Sequence, residues 1–178
     1  PLVAHYYYIC TNGSVTGTAA GDAGRYTSQL TGTIVALGAA GCYADFTAFA
    51  AEATPPAAGD FVCVIHDHAE STSNSVYLNG VTDAISAPVT YLTVDSGAID
   101  EYRIGTGTNV TQTGTSADVE LGTPARSYVV IRGLSFATAD NTLMGGSGAG
   151  DTQVYDLSIV SNSAGDVLCS VGSNCQLY

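Results

Sequence analysis

Four short runs of one chemical type recur along this chain, and they restrict the folds open to it. They are residues 61–66 (FVCVIH), 90–94 (TYLTV), 128–131 continued by 134–136 (YVVIRGLSF) and 153–160 (QVYDLSIV). Each is rich in β-branched and aromatic side chains, which suit a pleated, half-buried surface. Each is bounded by Gly, Asp, Ser, Asn or Pro, the residues that punctuate strands. The runs return roughly every 25 to 40 residues, the period of stacked supersecondary units. The pattern therefore predicts an all-β fold, a parallel β-helix (β-solenoid), in which each coil buries its apolar face against the next.

One helix is expected ahead of these runs. Residues 44–53 (ADFTAFAAEA) contain good helix formers, with Asp45 placed to cap them. Phe46, Phe49, Ala50 and Ala53 fall at i, i+3, i+4 and i+7, one apolar face. Thr54-Pro55-Pro56 ends the helix, because the residue before proline avoids the helical region. The open end of a solenoid exposes unpaired strand edges and apolar core, and a helix laid across it covers both. The expected organisation is thus an N-terminal strand and loop region over 1–43 and a helix-capped β-helix over 44–178.

Further strands are expected at 5–10 (HYYYIC), 30–37, 76–78, 109–113, 117–121 and 167–171. Residues 11–25 and 141–151 are too rich in glycine to form an element. The last residues, Gln176-Leu177-Tyr178, read as the start of another coil with no polar capping sequence. On that reading the chain is the front part of a longer protein.

Charge excludes two classes of partner. Only 11% of the 178 residues are charged, against roughly 25% in ordinary soluble proteins. Lysine is absent, and Arg25, Arg103, Arg126 and Arg132 face sixteen carboxylates, for a net charge of −12. Binding to a nucleic-acid backbone needs clustered cations, so no nucleic-acid partner is expected. An anionic membrane is disfavoured on the same ground. No stretch approaches the roughly 20 apolar residues of a membrane span. The N-terminus has neither the basic region nor the cleavage site of an intact signal peptide. Pro1 fits trimming of an initiator methionine and equally a chain already processed.

Cys10, Cys42, Cys63, Cys169 and Cys175 are odd in number and include no CxxC pair. They read as buried thiols, with a Cys169–Cys175 disulfide or a zinc cluster as alternatives.

Few residues suggest chemistry. On a strand, His66 and His68 would share a face, and Glu70 could add a third metal ligand. The competing reading is a hydrated turn whose side chains bond the backbone. Asp95, Asp100 and Glu101, or Asp118 with Glu120, are the nearest approach to a hydrolytic carboxylate pair. Acids at strand edges are more often solvated turn residues. The glycines of 145–150 lack the lysine of a phosphate-binding loop. No catalytic residue, metal ligand or cofactor is therefore assigned. Tyr6, Tyr7 and Tyr8 are the candidate interface, since tyrosine offers amphipathic area for partners or sugars. A core-lining strand is the alternative for them.

The segments ADFTAFAAEA, PPAAGD, FVCVIH and DHAES (67–71), with PVTYLTVD (88–95) and YVVIRGLSF (128–136) after them, resemble the β-helix structural proteins of tailed bacteriophages. The resemblance covers about three quarters of the chain and includes no catalytic motif. It implies a virion protein assembled in the host cytoplasm, commonly a homotrimer, whose partners are the major capsid protein or other virion proteins. The first expectation is a capsid decoration protein that stabilises the outer shell, attached through residues 1–43. The alternative is a tail fibre or spike adhesin binding host surface polysaccharide. The absence of tryptophan argues against a sugar platform, and a free polysaccharide-active enzyme is the least favoured reading.

Overall fold

The computed structural model describes residues 3–11, 24–30, 41–51, 54, 56–66, 68–73, 76–78, 87–95, 110–112, 119–120, 129–138, 152–155, 158–161 and 175–177. In chain order these form β1 (Tyr6–Ile9), β2 (Arg25–Tyr26), α1 (Phe46–Ala50), β3 (Phe61–Ile65), β4 (Glu70–Thr72), β5 (Val76–Tyr77), β6 (Val89–Val94) and β7 (Val110–Gln112). β8 (Val119–Glu120), β9 (Val129–Arg132), β10 (Ser135–Thr138), β11 (Thr152–Tyr155), β12 (Ser158–Ser161) and β13 (Cys175–Leu177) follow.

The principal sheet has the order β13-β11-β9-β6-β3-β1-β2. Its register brings like residues together. Tyr7, Val62, Tyr91 and Ile131 form one rank across four strands, and Tyr8, Cys63 and Leu92 form another. A second sheet, β12-β10-β7-β4, is parallel, and β5 pairs with β8 in parallel. β1 runs parallel to β3 but antiparallel to β2, with Tyr7 opposite Arg25.

These observations correct the expected fold class. The part of the principal sheet whose side chains are described is a five-stranded mixed sheet, β2-β1-β3-β6-β9, and the antiparallel β2 closes one edge of it. Most connections between strands lie outside the described residues, and no solenoid is shown among those that are described. The class carried by the structure is mostly β, and a β-helix is withdrawn. The outer wall of a solenoid would also be wet on one face, whereas β1, β3 and β6 are buried on both.

One face holds Tyr7, Ile9, Val62, Val64, Tyr91, Val129 and Ile131, packed with Tyr43, Leu134, Phe136 and the helix residues Phe46 and Phe49. The opposite face holds Tyr8, Cys10, Cys63, Ile65, Leu92 and Val94 beneath Cys42, with Tyr26 and Leu30 packed against them. Alternation along each strand supplies both sets. Burial of both faces is what makes the strands read as nearly continuous apolar runs.

The helix is shorter than its composition suggests, and its buried face differs from the expected one. Phe46, Ala48 and Phe49 are buried, while Ala50 is exposed. Asp45 is the N-cap, its Oδ1 accepting from Ala48 N–H at 2.6 Å. Instead of lying over an open end, the helix puts its rings into the sheet's first face. Phe49 meets Tyr7, Tyr43 and Tyr91 edge-on at centroid distances of 5.7 to 6.2 Å.

Two glycines turn the chain where no other residue does so without strain. Gly59 (φ 82°) ends the turn before β3, and Gly133 (φ 70°) separates β9 from β10. The YVVIRGLSF run is therefore two strands of two different sheets. The buried Thr93 hydroxyl donates to the Gly133 carbonyl at 2.8 Å, fixing that break against β6.

The strands expected over 30–37 and 167–171 fall largely or wholly outside the described residues, as does the loop 141–151. β2 and β4 were not expected, since both lie in stretches read as turn or loop.

Candidate functional site

The tyrosine block sits at the centre of the first candidate site. Tyr7 and Tyr8 have no exposed surface, and their hydroxyls reach inward to backbone. Tyr7 Oη donates to the Thr54 carbonyl at 3.0 Å, and Tyr8 Oη accepts from Leu30 N–H at 2.9 Å. Arg25 lies over the Tyr7 ring, 6.0 Å from its centroid. Tyr6 is half-buried and stacks on Phe61 at 5.4 Å. Of the expected interface residues Tyr6, Tyr7 and Tyr8, the two inner rings are buried within the chain. They are packing and bracing groups, and only Tyr6 keeps any accessible surface. Burial raises the Tyr8 phenol above its ordinary range, with nearby Cys63 adding to the effect.

The histidine and acid cluster is divided between two places. β3 ends at Ile65, so His66 lies in a turn, with Nδ1 3.4 Å from Asp95 Oδ1. His68 is buried, and its Nε2 is 2.8 Å from Glu70 Oε2. The same oxygen accepts from Phe46 N–H at 2.9 Å. His66 and His68 thus take different carboxylate partners. Among the described residues no group of three His, Cys, Asp or Glu side chains is placed to hold a metal ion.

A third ionisable group was not singled out from the sequence. Asp60 is 1% exposed. Its Oδ1 accepts from His5 N–H at 2.8 Å and its Oδ2 from Ala57 N–H at 2.9 Å, while His5 Nδ1 is 3.4 Å from Oδ1. Gly59 and Asp60 are turn residues by type, but nothing local announces a bond from Asp60 to residue 5.

Of the acids considered for hydrolysis, Asp95 neighbours His66, and Glu120 belongs to β8. Asp100, Glu101 and Asp118 lie outside the described residues, as do the glycines of 145–150.

No protein-family model, characterised protein or solved structure matches this chain.

Proposed function

We propose that this chain is a structural protein of a bacteriophage virion, attached to the outer shell as a capsid decoration protein. The observation that carries the reading is the use made of ionisable side chains among the described residues. Asp45, Asp60 and Glu70 accept from backbone N–H groups, while His5 faces Asp60, His66 faces Asp95 and His68 faces Glu70. These are bracing contacts that hold segments together, the work of a building part. The sequence resemblance to phage structural proteins from Tyr43 onward points the same way.

An acidic, lysine-free surface suits the outside of a particle, since it repels nucleic acid and other acidic surfaces. Attachment to the major capsid protein, expected from residues 1–43, would use parts of that segment other than the Tyr7 and Tyr8 rings. A homotrimer remains the assembly proposed from the resemblance.

Adding the purified chain to shells that lack it is the test. Saturable co-sedimentation, with shells that resist heat or low salt better once loaded, is the expected result. Retention no greater than that of an unrelated acidic protein sinks the proposal. Saturable binding of host surface polysaccharide with no shell binding would favour an adhesin instead.

A further inference from the structure

We propose that Cys10 and Cys42 form a redox-convertible pair, joined by two-electron oxidation into a disulfide that fastens residues 10 and 42 to each other. This inference does not depend on the function proposed above.

Three observations place the two thiols together. Interaction with Cys10, together with burial, raises the Cys42 thiol above its ordinary range. Both belong to the cluster on the sheet's second face, where Cys10 is 8% exposed and Cys42 1%. The backbones on either side are pinned: Cys10 N–H donates to the Tyr43 carbonyl at 3.0 Å, Tyr43 N–H donates to the Tyr8 carbonyl at 2.8 Å, and Ile9 bridges Tyr43 in parallel. Two thiols on one face of the sheet, carried by backbones pinned side by side, are placed for an S–S bond of about 2.05 Å. Cys63 shares the cluster but is wholly buried in the middle of β3, beside Tyr8.

A low-molecular-weight disulfide such as oxidised glutathione serves as oxidant. The Cys10 thiolate, the more accessible of the pair, attacks one sulfur of the oxidant and releases its first thiol. The Cys42 thiolate then displaces the second, forming the Cys10–Cys42 bond. Two protein thiols lose two protons and two electrons, and the oxidant is reduced to two thiols. The product links β1 to the residues leading into α1 and closes the chain from 10 to 42 into a ring. Such a ring restricts the unfolded chain more than the folded one.

The four arginines make the linkage readable, because trypsin finds no lysine in this chain. In the full-length Cys63→Ala variant, fragment 1–25 carries only Cys10 and fragment 26–103 only Cys42, while Cys169 and Cys175 fall in 133–178. Incubation with oxidised glutathione is expected to yield 1–25 joined to 26–103, about 2 Da below the sum of the two thiol fragments and separable by reductant. Wild-type protein should give the same linkage, Cys10→Ser and Cys42→Ser should both lack it, and Tm should rise by roughly 5 to 15 °C on oxidation. Recovery of Cys10 as a thiol, as a stable glutathione adduct or joined to 133–178 overturns the proposal. So does a wild-type linkage that survives Cys42→Ser.

Discussion

Asp60 shows how much one side chain can hold in this protein. Its carboxylate, almost out of contact with water, satisfies the N–H groups of His5 and Ala57, while its own N–H donates to the Ala57 carbonyl at 3.0 Å. Replacement by alanine leaves two donors without an acceptor, and each such loss costs about 1 to 3 kcal/mol. We expect Asp60→Ala to lower stability by about 3 kcal/mol in urea unfolding at unchanged m value. Asp60→Asn retains one carbonyl oxygen and should fall between wild type and alanine. A change below about 0.5 kcal/mol for alanine would show that water replaces the carboxylate. The sequence disclosed the turn around Asp60 because Gly59 and the acid are local signals. It could not disclose the reach to His5, a contact between residues 55 apart in the chain. The burial of the tyrosine rings was hidden for a related reason. Strand alternation sends Tyr7 to one face and Tyr6 and Tyr8 to the other, so a sheet with one wet face would leave a ring free. Tyr26, Leu30 and Cys42 cover that second face instead.

At the scale of the element, α1 shows a helix that exists because its surroundings hold it. Five residues are far too few for a stable helix in water, where nucleation is costly. Asp45 supplies a local cap, and Glu70, from β4, supplies a second acceptor at Phe46 N–H while also holding His68. Phe46 and Phe49 then insert among Tyr7, Tyr43, Tyr91 and Phe136. We expect Glu70→Ala to destabilise the protein by about 2 kcal/mol, since a backbone donor and a buried imidazole both lose their acceptor. The amides of 48–51 should exchange with solvent much faster than those of β3, as expected for loosening confined to the helix. Equal acceleration in β3 would show instead that the helix and sheet open as one unit. The sequence grouped His66, His68 and Glu70, which do lie near one another along the chain. No metal was assigned to them, and the strand that would align the two histidines stops at Ile65. Strand positions were legible from composition, with β3, β6 and β9 within one residue of expectation at most ends. Pairing was less legible, since an antiparallel partner as short as Arg25–Tyr26 leaves no periodic trace.

Across the whole molecule, the buried acids of the second face set a pH limit on folding. Burial holds the Cys63 thiol above its ordinary range. Cys42 is raised by its interaction with Cys10 and by burial, and Tyr8 is raised chiefly by burial. All three are neutral when protonated, so the folded chain keeps their protons at a pH where the unfolded chain has released them. Between the unfolded and folded pKa values the native state binds more protons, and stability falls as pH rises. The stabilisation is complete below the unfolded values, about 8.5 for cysteine and about 10 for tyrosine, and is lost above them. Each group contributes a slope of about 1.4 kcal/mol per pH unit once its window opens. Two thiols acting from about pH 9 should therefore remove several kcal/mol by pH 11, comparable with the whole stability of a domain. A chain that already carries a net charge of −12 gains further repulsion with each ionisation. Urea midpoints measured in reductant should hold steady between pH 7 and 8 and drop progressively above pH 9, with tyrosinate absorbance from Tyr8 developing only as the fold is lost. Cys63→Ala should flatten the first part of that decline, because the unfolded variant then has one thiol fewer to ionise. A midpoint unchanged to pH 11 would mean that the second face is open to solvent and that Cys42, Cys63 and Tyr8 titrate there as ordinary surface groups.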